Sequence, residues 1–113
     1  MISRDEVRKF ALSFEGASEE PHFNKISFRV RGKIFATLNL EHDRACVRLT
    51  PVDQHVFCSY KEEVIYPVPN AWGKQGWTLI NLKRVRKDMF KDAITSAYCC
   101  VAPSKLGAKY LEF

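Results

Sequence analysis

The sequence is short of the features that mark several large protein classes. No run approaches the ~18 consecutive apolar residues that a membrane-spanning helix needs. The opening stretch, MISRDEVRKF, has no apolar core of the kind a secretory signal carries. Four cysteines are present, Cys46, Cys58, Cys99 and Cys100, but none belongs to a C-x-x-C pair. The adjacent Cys99 and Cys100 fit no common metal spacing. His22, His42 and His55 are scattered, with no second histidine four residues away. No G-x-S-x-G elbow and no phosphate-cradling glycine loop occurs. The GKQG of WGKQGW is too short for a Walker motif and leads into a strand-like stretch. The reading left is a cytoplasmic, non-enzymatic protein with no membrane segment, no metal and no cofactor. Its cysteines are expected to be reduced and mostly buried as small hydrophobes.

Positive charge, by contrast, is plentiful. Lys and Arg number 18 against 13 Asp and Glu, a formal charge of +5, with a pI near 9.1. This balance favours an anionic partner without identifying it. At 113 residues and 46% hydrophobic content, residues 1–113 make one domain, expected as a monomer, that can bury a core without staples.

Periodicity divides the chain into elements. Ser3 and Glu6 spell an S-x-x-E capping box, and Val7, Phe10, Ala11 and Phe14 make one helical stripe, with Gly16 as its stop. ASEEPHFNK reads as a linker. The period then changes to 2. Ile26, Phe28, Val30, then Ile34, Ala36, Leu38, Leu40, then Ala45, Val47, Leu49 form the apolar face of a three-stranded meander. The other face carries Arg29, Arg31, Thr37, Asn39 and Arg48, and Phe35 alternates with the apolar set alongside Thr37 and Asn39. Thr50-Pro51 starts a short helix whose stripe is Val52, Val56, Phe57 and Tyr60. VIYPVPNAWGKQG is loop or edge strand, and WTLINL is a strand. From about Lys87 a long stripe, Phe90, Ala93, Ile94, Ala97, Tyr98 and Val101, runs to a stop at Pro103. Strands segregated between terminal helices predict an α+β fold, an antiparallel sheet with the N- and C-terminal helices packed on one face.

The charge is uneven. Residues 25–48 hold six bases and two acids, and residues 67–113 hold eight bases and three acids. The densest cluster lies in NLKRVRKDMF, where Lys83, Arg84, Arg86 and Lys87 crowd the start of the last helix. Helix starts carry partial positive charge and prefer acids. Either a neighbouring element neutralises these cations, or an anion docks on them and on the free N–H groups. On the strand face, Arg29, Arg31 and Arg48 serve equally well as phosphate contacts or as stems that cover apolar surface. In WGKQGW, Trp72 and Trp77 flank Lys74. They could stack on bases, but the reading adopted is structural, with glycines shaping a turn and indoles covering the core edge.

Four motifs, GASEEPHF at 16–23, SFRVRGKIFA at 27–36, WGKQGWT at 72–78 and VAPSKL at 101–106, together resemble the MmcQ/YjbR family. The resemblance implies a CyaY-like, that is frataxin-like, fold and a DNA-binding role with a "double wing" of hairpins. Arg31, Gly32 and Lys33 match the family's R-G-K hairpin tip, and Lys74 its basic position in the tryptophan loop. Arg86 and Lys87 depart from the acidic or small residues that family members often have there. The fold also invites iron binding, but RDEVRKF lacks the acidic helix that frataxins use. The expectation is a protein that contacts duplex DNA phosphates through Arg29, Arg31, Lys33, Arg48, Lys74, Lys83, Arg84, Arg86 and Lys87. The alternative is a protein-interaction or small-ligand module.

Overall fold

The computed structural model describes residues 1–110. Helix α1 (Arg4–Leu12) begins at the capping box. Ser3 Oγ accepts from the Glu6 N–H and the Glu6 carboxylate accepts from the Ser3 N–H, both at 3.1 Å. Val7, Ala11 and Phe14 point into the core as their spacing predicts.

ASEEPH is not a linker but a strand, β1 (Ala17–His22), antiparallel to β2 (Lys25–Val30). It lies at the sheet edge and half faces solvent, so it needs no apolar alternation, and an edge strand tolerates Pro21. Strands β3 (Lys33–Asn39) and β4 (Arg44–Arg48) complete the meander. Helix α2 (Pro51–Cys58), strand β5 (Ile65–Pro67), the short helix α3 (Ala71–Lys74) and strand β6 (Trp77–Asn81) follow. The sheet has six strands in the order β1-β2-β3-β4-β6-β5, each antiparallel to its neighbours. Helix α4 (Lys87–Val101) crosses one face beside α1, and α5 (Ser104–Gly107) follows the break at Pro103. The α+β architecture is the one expected.

The register places Phe28, Val30, Ala36, Leu38, Ala45, Val47 and Leu49 inside. One departure is local. Phe28 pairs with Ala36, but Arg29 pairs with Ile34, so Phe35 is an extra residue in a bulge. Phe35 is completely buried, and Ile34 falls on the opposite face with Arg29. Strict alternation predicts the reverse for both. Leu40 lies past the end of β3 and is exposed.

Helix α4 buries Phe90, Ala93, Ile94, Ala97 and Tyr98. Burying each large side chain contributes about 1.5–3 kcal/mol relative to exposure. Phe14 stacks on Tyr98 with ring centroids 4.6 Å apart, tying the end of α1 to α4. Helix α2 is capped by Thr50 as predicted, with its Oγ1 accepting from the Asp53 N–H. Its predicted stripe fails, since Val52 and Val56 are exposed and only Phe57 and Tyr60 pack inward. A polar contact holds the helix as well. Gln54 Nε2 donates to Gly73 O at 2.9 Å and to Thr78 Oγ1 at 3.1 Å. The four cysteines are free and half-buried rather than fully buried. Cys99 and Cys100 diverge around the helix, and Cys99 faces α5 with its thiol 3.5 Å from Gly107 O. No helix among the described residues is long and apolar enough to cross a membrane.

Candidate nucleic-acid interface

Strand register sorts the nine predicted cations into separate places. Arg31 and Gly32, with φ of 52° and 79°, form the two-residue turn between β2 and β3. Two successive positive φ values match the twist of a tight hairpin. Lys33 opens β3 beside it. Arg48, at the end of β4, pairs with Trp77 at the start of β6. Its guanidinium lies 5.9 Å from the Trp77 ring centroid. Lys74 ends α3 just before β6. Arg31, Lys33, Arg48 and Lys74 thus share the hairpin end of the sheet. All four are exposed, and none has an acidic partner among the described residues. Arg29 differs. It is half-buried, 3.6 Å from the Glu20 carboxylate, and donates to Ser27 Oγ.

Lys83, Arg84, Arg86 and Lys87 stand at the opposite end, after β6 and beside the β3–β4 turn. Five-residue strands separate the two ends by roughly 17 Å. Neighbours meet these cations. Lys83 Nζ is 3.7 Å from Asp43, Arg86 is 3.0 Å from Asp88, and Lys87 Nζ is 2.8 Å from Glu6. Only Arg84 of the four lacks an acidic partner among the described residues. The Lys87 bond, then the Ser3 N–H, hold the Glu6 carboxyl down at about 2. Val85, completely buried, anchors the segment. The same carboxylate that completes the cap of α1 therefore neutralises the first residue of α4. This explains how a cation cluster survives at a helix start.

The sheet face away from α1 and α4 holds a groove of about 510 Å3. Ile34, Thr37 and Cys46 lie along its floor, His22 and Lys25 flank it on one side, and Val68, Asn70, Trp72 and Trp77 on the other. The tryptophans do not cover the core edge as expected. Trp72 is 58% exposed, and Trp77 is half-buried on the open face. The glycines are structural. A Cβ on Gly73 would stand 2.0 Å from Val68 O, and one on Gly76 2.0 Å from Leu49 O. Each accepts a neighbouring carbonyl so closely that no side chain fits. Burial pushes the Cys46 thiol up to about 11, so it is protonated at neutral pH. Lys25, His22 and Arg44, which pairs with Asn81, were not singled out by sequence. Their signal was weak, since each sits at a strand end or turn where alternation does not assign a face. No group of three His, Cys, Asp or Glu among the described residues is placed to hold a metal ion.

The fold defines a class, α+β domains in which helices cover one face of a six-stranded antiparallel sheet and leave the other open. The structure is similar to the crystal structure of Deinococcus radiodurans protein DR2400, which carries the domain DUF419, with a TM-score of 0.77 at 16% identity over 88% of this chain and 78% of that one. That likeness is one of fold. The YjbR family model matches residues 12–100, and the chain belongs to the YjbR family. No curated protein matches it.

Proposed function

We propose that the chain is a non-enzymatic, cytoplasmic protein that binds duplex DNA through its phosphates, with the β2–β3 hairpin as one wing. One observation carries this reading. Arg31, Lys33, Arg48 and Lys74 are exposed, unpaired among the described residues and grouped at one end of the sheet. Unpaired surface cations have no internal acid to satisfy and are free to release counterions from a phosphate backbone. The helix-start cations contribute less, because an arriving phosphate must compete with Glu6, Asp43 and Asp88. The reading is confined to phosphate contacts, which carry no sequence information themselves.

Fluorescence anisotropy with a generic duplex across a salt series tests this. Log affinity should fall against log salt with a slope of about −0.9 for each phosphate contacted. A flat response, or no binding at low salt, ends the reading. The alternative favoured by the open groove, a small-ligand or protein-interaction module, then takes its place.

A further inference from the structure

The groove on the open face is aromatic, apolar and bordered by cations, and phosphate contact alone leaves it unused. Trp72 is an exposed wall of the groove. Neither tryptophan stacks on another aromatic ring among the described residues. Their indole N–H groups donate to no protein acceptor there either. Trp77 has one cation near its ring, Arg48, and Trp72 has none. Across the groove, His22 leads into Phe23, which is 95% exposed. Phe23 holds a φ of 60° at the tip of the β1–β2 turn. A bulky side chain in that conformation is strained and kept in water. His22 and Lys25 thus line one side of the groove and Trp72 and Trp77 the other, with Arg48 beside the Trp77 ring and Lys74 at the end of α3.

We infer that this groove holds single-stranded nucleic acid, with unpaired bases stacked on Trp72 and Trp77 and phosphates drawn to the bordering cations. The inference rests on the phosphate-binding reading for its charge but not for its stacking. Charge selects the occupant. Lys25, Arg48 and Lys74 lack acidic partners among the described residues, so an anionic strand suits the margins and an apolar peptide does not. Stacking is tolerant of sequence, because every base presents a π-face. A duplex keeps its bases inside, so it can use the hairpin-end cations but not the groove.

Indole emission separates the possibilities, since Trp72 and Trp77 are the chain's two tryptophans. The full chain is titrated with oligo(dT) of about 12 nucleotides, within the span of single-strand sites, with a duplex of equal length, and with thymidine monophosphate. Oligo(dT) should quench emission, and should still do so in Trp77→Phe, where Trp72 is the sole reporter. Trp72→Ala should weaken oligo(dT) binding about tenfold or more, with duplex affinity changed less than about twofold, and Trp72→Phe should restore part of the loss. Thermal melts confirm that each variant is folded. Duplex binding with a normal salt slope but no quench by oligo(dT) overturns the groove inference and leaves the phosphate reading standing. Quench by oligo(dT) without duplex binding upholds the groove and removes the duplex reading. Quench by the mononucleotide as tight as by the strand makes the groove a small-ligand pocket and overturns the inference.

Discussion

Of the nine predicted cations, four stand at each end of the sheet. At the hairpin end, Arg31, Lys33, Arg48 and Lys74 have no acidic partners among the described residues. At the other, Lys83, Arg86 and Lys87 lean on Asp43, Asp88 and Glu6, and only Arg84 of these four is unmatched. A count of charges cannot tell these regions apart, and in linear sequence the second is the denser. Density along the chain reports how many cations are present. Availability depends on which acids fold against them. The pairs are solvent-exposed, and exposed pairs contribute only ~0–1 kcal/mol each. Their effect is less to stabilise the fold than to occupy the charge.

The comparison is broken most severely by disturbing the loop that shapes the hairpin end. Gly73→Ala and Gly76→Ala each drive a Cβ against backbone at 2.0 Å. Gly76 also holds a φ of 102°. Each substitution is expected to cost about 3 kcal/mol or more, read as a lowered urea midpoint. A midpoint within experimental error of the parent would show that the loop yields easily and that its indoles and Lys74 are not held in place.

Neutralising one end at a time sharpens it. Arg31, Lys33, Arg48 and Lys74 changed together to Gln should flatten the duplex salt slope by about 2–3 units, with stability nearly unchanged. The same exchange at Lys83, Arg84, Arg86 and Lys87 should flatten it by about one unit or less. There, loss of exposed ion pairs is offset by relief of a few tenths of a kcal/mol per cation at the helix start. A larger loss of slope from the second set would reverse the assignment.

The smallest effect lies in acid. The Glu6 carboxyl sits at about 2, below its ordinary value of 4.5, so the folded state favours its charged form. The stability this contributes is complete above about pH 4.5 and disappears as pH falls toward 2. Glu6→Gln should be less stable than the parent at neutral pH, and the two should converge across that window in denaturation midpoints. Parallel curves from pH 5 to 2 would mean that Lys87 does not engage Glu6 in solution.

Much of the fold was legible because local chemistry and tertiary need agreed. The Ser3–Glu6 box, the Thr50 cap, the stripe from Phe90 to Tyr98 and the meander faces each follow from the spacing of a few residues. The candidate site was legible as composition only. Arg31, Gly32 and Lys33 announce a basic hairpin tip, and WGKQGW announces an unusual loop. The direction of Trp72 was misread because an indole is more often buried, and nothing local said that the glycines would be clamped while the indoles stayed out. Strand β1 was missed because its residues on the helix-covered face, Ala17, Glu19 and Pro21, include no large apolar side chain and are at most half-buried, which leaves no hydrophobic alternation to read. Phe35 was misplaced because a bulge shifts the period by one residue, and that shift is set by the pairing of β2 with β3.

The amino-acid order by itself determined where helices start, which strand faces are apolar, and that excess cations lie in residues 25–48 and 67–113. Those are properties of neighbours within a few positions, governed by caps and side-chain period. Only the tertiary structure decided that Glu6 reaches Lys87 and that Asp43 reaches Lys83. Only it placed Arg48 over Trp77 and gathered His22, Thr37, Cys46 and Trp72 around one groove. These contacts join residues tens of positions apart. Electrostatic pairing and groove shape depend on distance in space, which short-range periodicity does not encode.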